Sequence, residues 1–139
     1  MIQRLQSVWL LIAAVCAFLT FQVSFYSGNK ISSNNISHFT ELNASSDYLI
    51  MAITGVLGVL SLVTIFLYKK RKRQLGFTIL AFILSVLNLV IYFAHTNQFA
   101  NGNILLTSIF AFVIPVFLIL AARGIWQDEK LVKSMDRLR

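Results

Sequence analysis

Side chains able to bind a metal ion lie outside the apolar runs of this chain. His38 and Glu41 are close in sequence, Asp47 follows them, and His95 comes just after a later apolar run. Imidazole and carboxylate groups are ordinary zinc ligands. Solvated histidines are far commoner than ligands, however, and the chain has no Ser/His/Asp set, intramembrane carboxylate pair or Gly-rich phosphate loop. The sequence therefore predicts no catalytic residues, no cofactor and no metal site.

Four apolar runs make up most of the chain. They span residues 8–26, 49–68, 75–94 and 104–122 and contain no Asp, Glu, Lys, Arg or His. A helix of about 20 apolar residues crosses a bilayer core. Trp and Tyr, which prefer the headgroup level, mark the run ends: Trp9, Tyr26, Tyr48, Tyr68, Tyr92 and Trp126. The sequence predicts one all-α domain over residues 1–139, an integral membrane bundle of four transmembrane helices.

Basic residues indicate how the predicted bundle is oriented. Of the 12 Lys and Arg, only Lys30 lies in the connections at one end of the runs. The positive-inside rule assigns the basic side to the cytoplasm, so both termini are predicted to be cytoplasmic in a bacterial inner membrane. The net charge of +7 does not indicate nucleic acid binding, because the basic residues flank the spans and no nucleic-acid motif accompanies them.

Each predicted span contributes one hydrogen-bonding side chain to a common layer in its outer half: Gln22, Thr54, Asn88 and Ser108. At a rise of 1.5 Å per residue, these four lie at a similar depth, roughly 6–9 Å below the outer boundary. Polar groups in lipid need partners, and Gln22 and Asn88, which have the longest side chains in the set, are expected to hydrogen-bond to each other. We interpret the layer as a polar clasp that fixes helix register. A small polar pocket open to the periplasm is the alternative.

The tail, residues 123–139, is predicted to form a short amphipathic cytoplasmic helix, because Leu131, Met135 and Leu138 follow helical spacing. Its charges of both signs suit a protein surface. By contrast, the basic loop, residues 69–73 between the second and third runs, suits anionic lipid headgroups. The candidate contacts with a partner protein or with lipid are Arg4, Lys69, Lys70, Arg71, Lys72, Arg73, Asp128, Glu129, Lys130, Leu131, Met135, Arg137 and Leu138.

Two terminal stretches resemble a known family. They are residues 1–11, MIQRLQSVWLL, and residues 128–139, DEKLVKSMDRLR. Both resemble domain-of-unknown-function family 4293, a set of small four-span membrane proteins of Bacteroidota. The resemblance implies an inner-membrane location and supplies no catalytic residues. The positions that carry it are Arg4, Gln6, Asp128, Glu129, Lys130, Asp136 and Arg137.

Two functions fit these observations. The first is a non-enzymatic accessory or scaffold subunit of a membrane assembly, with other membrane proteins as partners. The alternative is a small carrier or lipid-handling protein that uses the outer polar layer. A partner-binding tail favours the first function, and a continuous water-filled cavity would favour the second.

Overall fold

The computed structural model describes residues 2–31 and 37–136. Within these residues the chain forms four α-helices: α1 (Ile2–Leu19), α2 (Tyr48–Phe66), α3 (Arg71–Thr96) and α4 (Ile109–Asp136). The same residues contain three strands: β1 (Tyr26–Ile31), β2 (Ser37–Leu42) and β3 (Phe99–Ile104). Short 3-10 turns, Leu67–Lys69 and Leu106–Ser108, precede α3 and α4.

The helices pack in a closed ring, in which α1 contacts α2 and α4, and α3 also contacts α2 and α4. The centre of the ring is built from small and branched side chains. Leu10, Ala13 and Ala17 of α1 are fully buried, and they meet Leu57 of α2 and Leu118 of α4 in one cluster. Small residues on α1 let the neighbouring backbones approach closely.

The inward faces of α2 and α3 are unusually polar. On α3 the buried residues recur at helical spacing as Gln74, Thr78, Ala81, Ser85, Asn88 and Tyr92. On α2 they are Ile50, Thr54, Leu57, Gly58, Ser61 and Thr64. Several hydroxyls bond back to their own helix, as Thr78 Oγ1 does to the Gln74 carbonyl at 2.9 Å. The large apolar side chains of these helices therefore face outward, as Phe66, Val90 and Ile83 do.

Length and composition make three helices of the described chain suitable for crossing a membrane: α2, α3 and the stretch Leu106–Val132. The apolar part of α1, Leu5–Leu19, is shorter. The first predicted helix was expected to continue to Tyr26. This is wrong, because α1 stops at Leu19 and Tyr26 begins β1. The tail is also different from the prediction, since it continues α4 without a break to Asp136.

A three-stranded antiparallel sheet in the order β2-β1-β3 lies at the end of the ring opposite the basic loop. We call this the sheet end, and we call the other the basic end. β1 pairs with β2 from Tyr26↔Leu42 to Ile31↔Ser37, and with β3 from Tyr26↔Ile104. The all-α prediction is therefore wrong in detail. Strand β1 reads YSGNKI, a composition typical of turns, and its pairing with β3 joins residues far apart in sequence.

Residues 20–25 connect α1 to the sheet without being helical, and their backbone groups are bonded inside the protein. The Phe25 N–H donates to the Leu42 carbonyl at 2.7 Å, and the Ala44 N–H donates to the Thr20 carbonyl at 3.0 Å. The Phe25 ring stacks on buried Tyr92 of α3, with ring centroids 4.6 Å apart. Tyr92 is thus a buried core residue. The sequence suggested instead that it marks the headgroup level at the end of a run.

The sheet offers a direct test of this packing at Gly102, which lies opposite Gly28 in the β1–β3 ladder. A Cβ added to Gly102 would lie 2.6 Å from the Ser27 carbonyl oxygen and 2.5 Å from a Tyr26 ring carbon. We expect Gly102→Ala to lower the free energy of unfolding in detergent by about 1–3 kcal/mol, the usual cost of overpacking. Gly55→Ala is the matched control, because a Cβ there meets nothing within 4 Å. Equal stability of the two variants would contradict the described register.

Candidate functional site

A buried side-chain hydrogen bond joins the first helix of the described chain to its last. Gln6 Nε2 of α1 donates a hydrogen bond to Asp128 Oδ2 of α4 at 2.5 Å. Both residues are buried, with exposed fractions of 3% for Gln6 and 8% for Asp128. A buried carboxylate is costly unless it accepts hydrogen bonds, so Gln6 compensates for part of the desolvation of Asp128. Both residues belong to the terminal stretches that carry the family resemblance.

The basic loop contributes the third member of this contact. Arg71, the first residue of α3, donates from Nη1 to the Asp128 carbonyl oxygen at 3.0 Å. We call Gln6, Arg71 and Asp128 the Asp128 cluster. It ties the first turns of α1, the start of α3 and the late part of α4 together at the basic end. Because the carbonyl belongs to the backbone of α4 and Arg71 begins α3, this bond fixes the position of one helix relative to the other.

Close packing supports the Asp128 cluster. A Cβ on Gly124, one turn before Asp128 on α4, would lie 2.8 Å from Gln6 Cγ. Only glycine at this position therefore lets the Gln6 side chain lie flat against α4 on its way to the carboxylate. The sequence suggested Asp128 as a contact and Gln6 as a recognisable position, but nothing in the sequence paired them.

The described ones among the remaining predicted contact residues belong to the same segments as Arg71 and Asp128. Lys70, Lys72, Arg73, Lys130 and Leu131 are exposed, and Glu129 is half-buried. Exposed basic side chains at one end of the molecule are available to anionic groups. Arg137 and Leu138 lie outside the described residues, and so do the side chains of Arg4, Lys69 and Met135.

The predicted outer polar layer is only partly assembled. Asn88 Nδ2 of α3 donates to Thr54 Oγ1 of α2 at 3.0 Å, and both side chains are buried. Ser108 is buried in the turn before α4. Gln22 does not join them, because α1 ends at Leu19 and Gln22 lies exposed in the following turn. The suggested bond between Gln22 and Asn88 is therefore absent from the described residues, and Thr54 takes the place of Gln22.

A second polar arrangement lies at the sheet end, where Asp47 and His95 meet. Asp47 caps α2 by accepting from the Leu49 N–H at 3.3 Å. Its other oxygen lies 2.6 Å from His95 Nε2, and His95 Nδ1 lies 2.9 Å from the Ile91 carbonyl oxygen. Both ring nitrogens thus face oxygen atoms of the protein. This pair connects the start of α2 to the end of α3.

The Asp47–His95 pair forms one wall of a cavity of about 320 Å³. Glu41 and Gln98 also line this cavity, and Glu41 accepts a hydrogen bond from the Ser24 hydroxyl. The carboxylates are therefore already engaged by protein donors. Among the described residues, no group of three or more His, Cys, Asp or Glu side chains could hold a metal ion.

The polar inward faces of α2 and α3 were missed by the sequence analysis. Four of their members at the basic half, Ser61, Thr64, Gln74 and Thr78, are nearly or fully buried. Their spacing of three or four residues along apolar helices is a signal that could have identified them. The predicted polar layer covers only the outer half of the spans. These groups can hydrogen-bond and fix helix positions, and they include no nucleophile activated by a neighbouring base.

This architecture defines a mostly helical protein in which three of the described helices are long and apolar enough to cross a membrane. Residues 2–138 match the family described as Domain of unknown function (DUF4293). The match covers nearly the whole chain, and the chain belongs to this family, which confirms the resemblance of the two terminal stretches. Comparison with curated proteins and with solved structures gave no significant match.

The contact between Gln6 and Asp128 can be measured by a double-mutant cycle. We expect Gln6→Ala and Asp128→Ala to show a coupling free energy of about 1–3 kcal/mol in detergent unfolding, because one partner of the bond is charged and both are buried. Gln127→Ala, at an exposed neighbouring position, is the control for Asp128→Ala and should show no coupling to Gln6→Ala. Additive effects of Gln6→Ala and Asp128→Ala would show that the bond does not contribute to stability.

Proposed function

We propose that this chain is a four-span protein of the bacterial inner membrane with both termini in the cytoplasm. We further propose that it is a non-enzymatic accessory or scaffold subunit of a membrane assembly. The observation that carries the scaffold role is the Asp128 cluster, which fixes a continuous helical extension of α4 at the basic end.

Membrane insertion is supported by the distribution of side chains. The outward faces of α2, α3 and α4 expose large apolar groups, including Val56, Val90 and Ile109, each more than half exposed. Contiguous apolar surface of this extent is unusual on a soluble monomer. In a bilayer the same surface is solvated by lipid tails, while the polar faces of α2 and α3 find partners inside the ring.

The first span needs a separate argument, because its apolar helix Leu5–Leu19 is only about 22 Å long at 1.5 Å per residue. We propose that residues 20–25 complete the crossing. Non-helical backbone is tolerated at membrane depth where it is buried in protein. Phe25 and Ala44 are almost completely buried, and their N–H groups donate within the protein.

Reporter fusions test the proposed topology. A reporter active only in the cytoplasm should be active when fused after Arg139, because positive-inside retention holds Lys70, Lys72 and Arg73 on that side. A reporter active only in the periplasm should be active when inserted near Asn35. Swapped activities of the two reporters would overturn the orientation.

The scaffold role rests on what the extension of α4 presents. Beyond Asp128, Leu131 and Val132 expose 53% and 41% of their surface next to Lys130. Apolar side chains beside charges of both signs suit a protein partner better than lipid alone. Because the Asp128 cluster orders the helix before binding, a partner would not have to supply the ordering free energy.

Truncation tests this role. Deleting residues 130–139 should leave the unfolding midpoint in detergent close to that of the intact chain, since the Asp128 cluster remains. It should remove the proteins that copurify in mild detergent, as measured by quantitative mass spectrometry. Leu131→Asn with Val132→Asn should reproduce the loss, and Lys72→Gln, on the basic loop, is the control. A truncated protein that keeps its partners and fully replaces the intact chain in cells would refute the scaffold role.

A small carrier or lipid-handling protein is the second candidate. The observation in its favour is Asn88 Oδ1, which is buried with no hydrogen-bond partner among the described residues. An unsatisfied buried oxygen in the membrane interior could contact a bound water or a polar ligand. Uptake of a labelled solute into vesicles containing the protein, lost in Asn88→Leu, would favour this function over the scaffold role.

A further inference from the structure

A groove between α3 and α4 runs toward the basic end of the molecule and has a cavity volume of about 360 Å³. Its lining is almost entirely apolar, with Leu118 as its buried floor and Ile79 and Ile119 as half-exposed walls. Phe82 lies further along the groove toward the sheet end. A groove of this size and composition accepts an apolar chain, and it opens on the surface that we assign to lipid.

The end of the groove near the basic loop has a different chemistry. Arg123 and Trp126 of α4 line it there, and both are exposed. Helical spacing places Lys130 seven residues beyond Arg123 on the same side of α4, and Lys72 one turn before Leu75 on α3. Glu129 lies near Trp126 and reduces the local charge, which remains positive. The apolar groove therefore ends at a cationic rim.

We propose that this groove binds one acyl chain of an anionic phospholipid, whose phosphate is held by Arg123. The guanidinium group matches phosphate geometry through two parallel N–H donors. Trp126 lies at the same level, where an indole prefers the headgroup region of a bilayer. The charge of the rim selects an anionic lipid over a zwitterionic one. This inference rests on the proposed membrane insertion and is independent of the scaffold role.

The two tryptophans of the chain make the site measurable. Trp9 stacks on Phe117 with ring centroids 5.4 Å apart, so Trp9→Phe keeps an aromatic ring there and leaves Trp126 as the fluorescent reporter. The purified Trp9→Phe protein would be placed in phosphatidylcholine vesicles containing brominated phosphatidylglycerol or, at the same fraction, brominated phosphatidylcholine. The bromine atoms on the acyl chain quench the fluorescence of an indole that the chain contacts.

We expect the apparent affinity from Trp126 quenching to be about fivefold higher for phosphatidylglycerol than for phosphatidylcholine, the effect of roughly one interfacial Arg. High salt should reduce the difference. Arg123→Gln in the Trp9→Phe background should abolish it. Arg73→Gln is the comparison variant: it removes one charge from the basic loop, which we expect to attract anionic headgroups in general, but Arg73 does not line the groove, so most of the difference at Trp126 should remain.

Equal quenching by the two lipids in the parent protein would overturn the proposal, and so would an equal loss of selectivity in Arg73→Gln and Arg123→Gln. Helical circular dichroism and the unfolding midpoint of each variant keep a folding defect separate from a binding defect. Because the vesicles contain no other protein, failure here leaves the scaffold role untouched. Likewise, the copurification result for the truncated protein does not bear on lipid binding in the groove.

Discussion

The buried carboxylate of Asp128 is the group on which the basic end of this molecule depends. A carboxylate that is 8% exposed needs donors, and Gln6 provides one from the other end of the chain. Arg71 bonds the carbonyl of the same residue, so three segments meet at one position. These bonds hold the last turns of α4 to the start of α3 and to α1. The ordered extension, and the partner surface proposed on it, follow from this contact.

Buried polar groups elsewhere in the structure also need hydrogen-bond partners, and they find them in different ways. Hydroxyls of α2 and α3 bond to carbonyls of their own helices, and Asn88 bonds Thr54 between the two helices. At the sheet end, residues 20–25 place their backbone groups against strand and turn residues. Polar groups are therefore gathered inside, and the outside is left to large apolar side chains. This arrangement suits a bilayer, and it explains how a chain with 58% hydrophobic residues has polar inward faces on α2 and α3.

Hydropathy predicted the helices well because its signal is local and extends over many consecutive residues. The runs containing Thr54, Asn88 and Pro115 each lie largely within one described helix, although the last run begins at the end of β3 and passes through a 3-10 turn before α4. The sheet could not be predicted, since its strands are six residues long and their pairing joins distant segments. The sequence also suggested Gln22 as a partner for Asn88, because nothing in the apolar run indicates that α1 ends before Gln22 and that the chain then enters the sheet. The contact of Gln6 with Asp128 spans almost the whole chain, and only the fold brings these residues together.

Solid-state NMR of the protein in lipid bilayers tests the central claim, that the Asp128 carboxylate holds both ends of the chain together. Selective labelling of Gln side-chain amides and Asp carboxyl carbons would report the distance between Gln6 and Asp128 directly. We expect a through-space correlation that matches the described hydrogen bond and disappears in Asp128→Ala, with rigid helical signals for residues 128–136. Absence of the correlation in the intact protein, together with signals of a mobile peptide from residue 128 onward, would contradict the account.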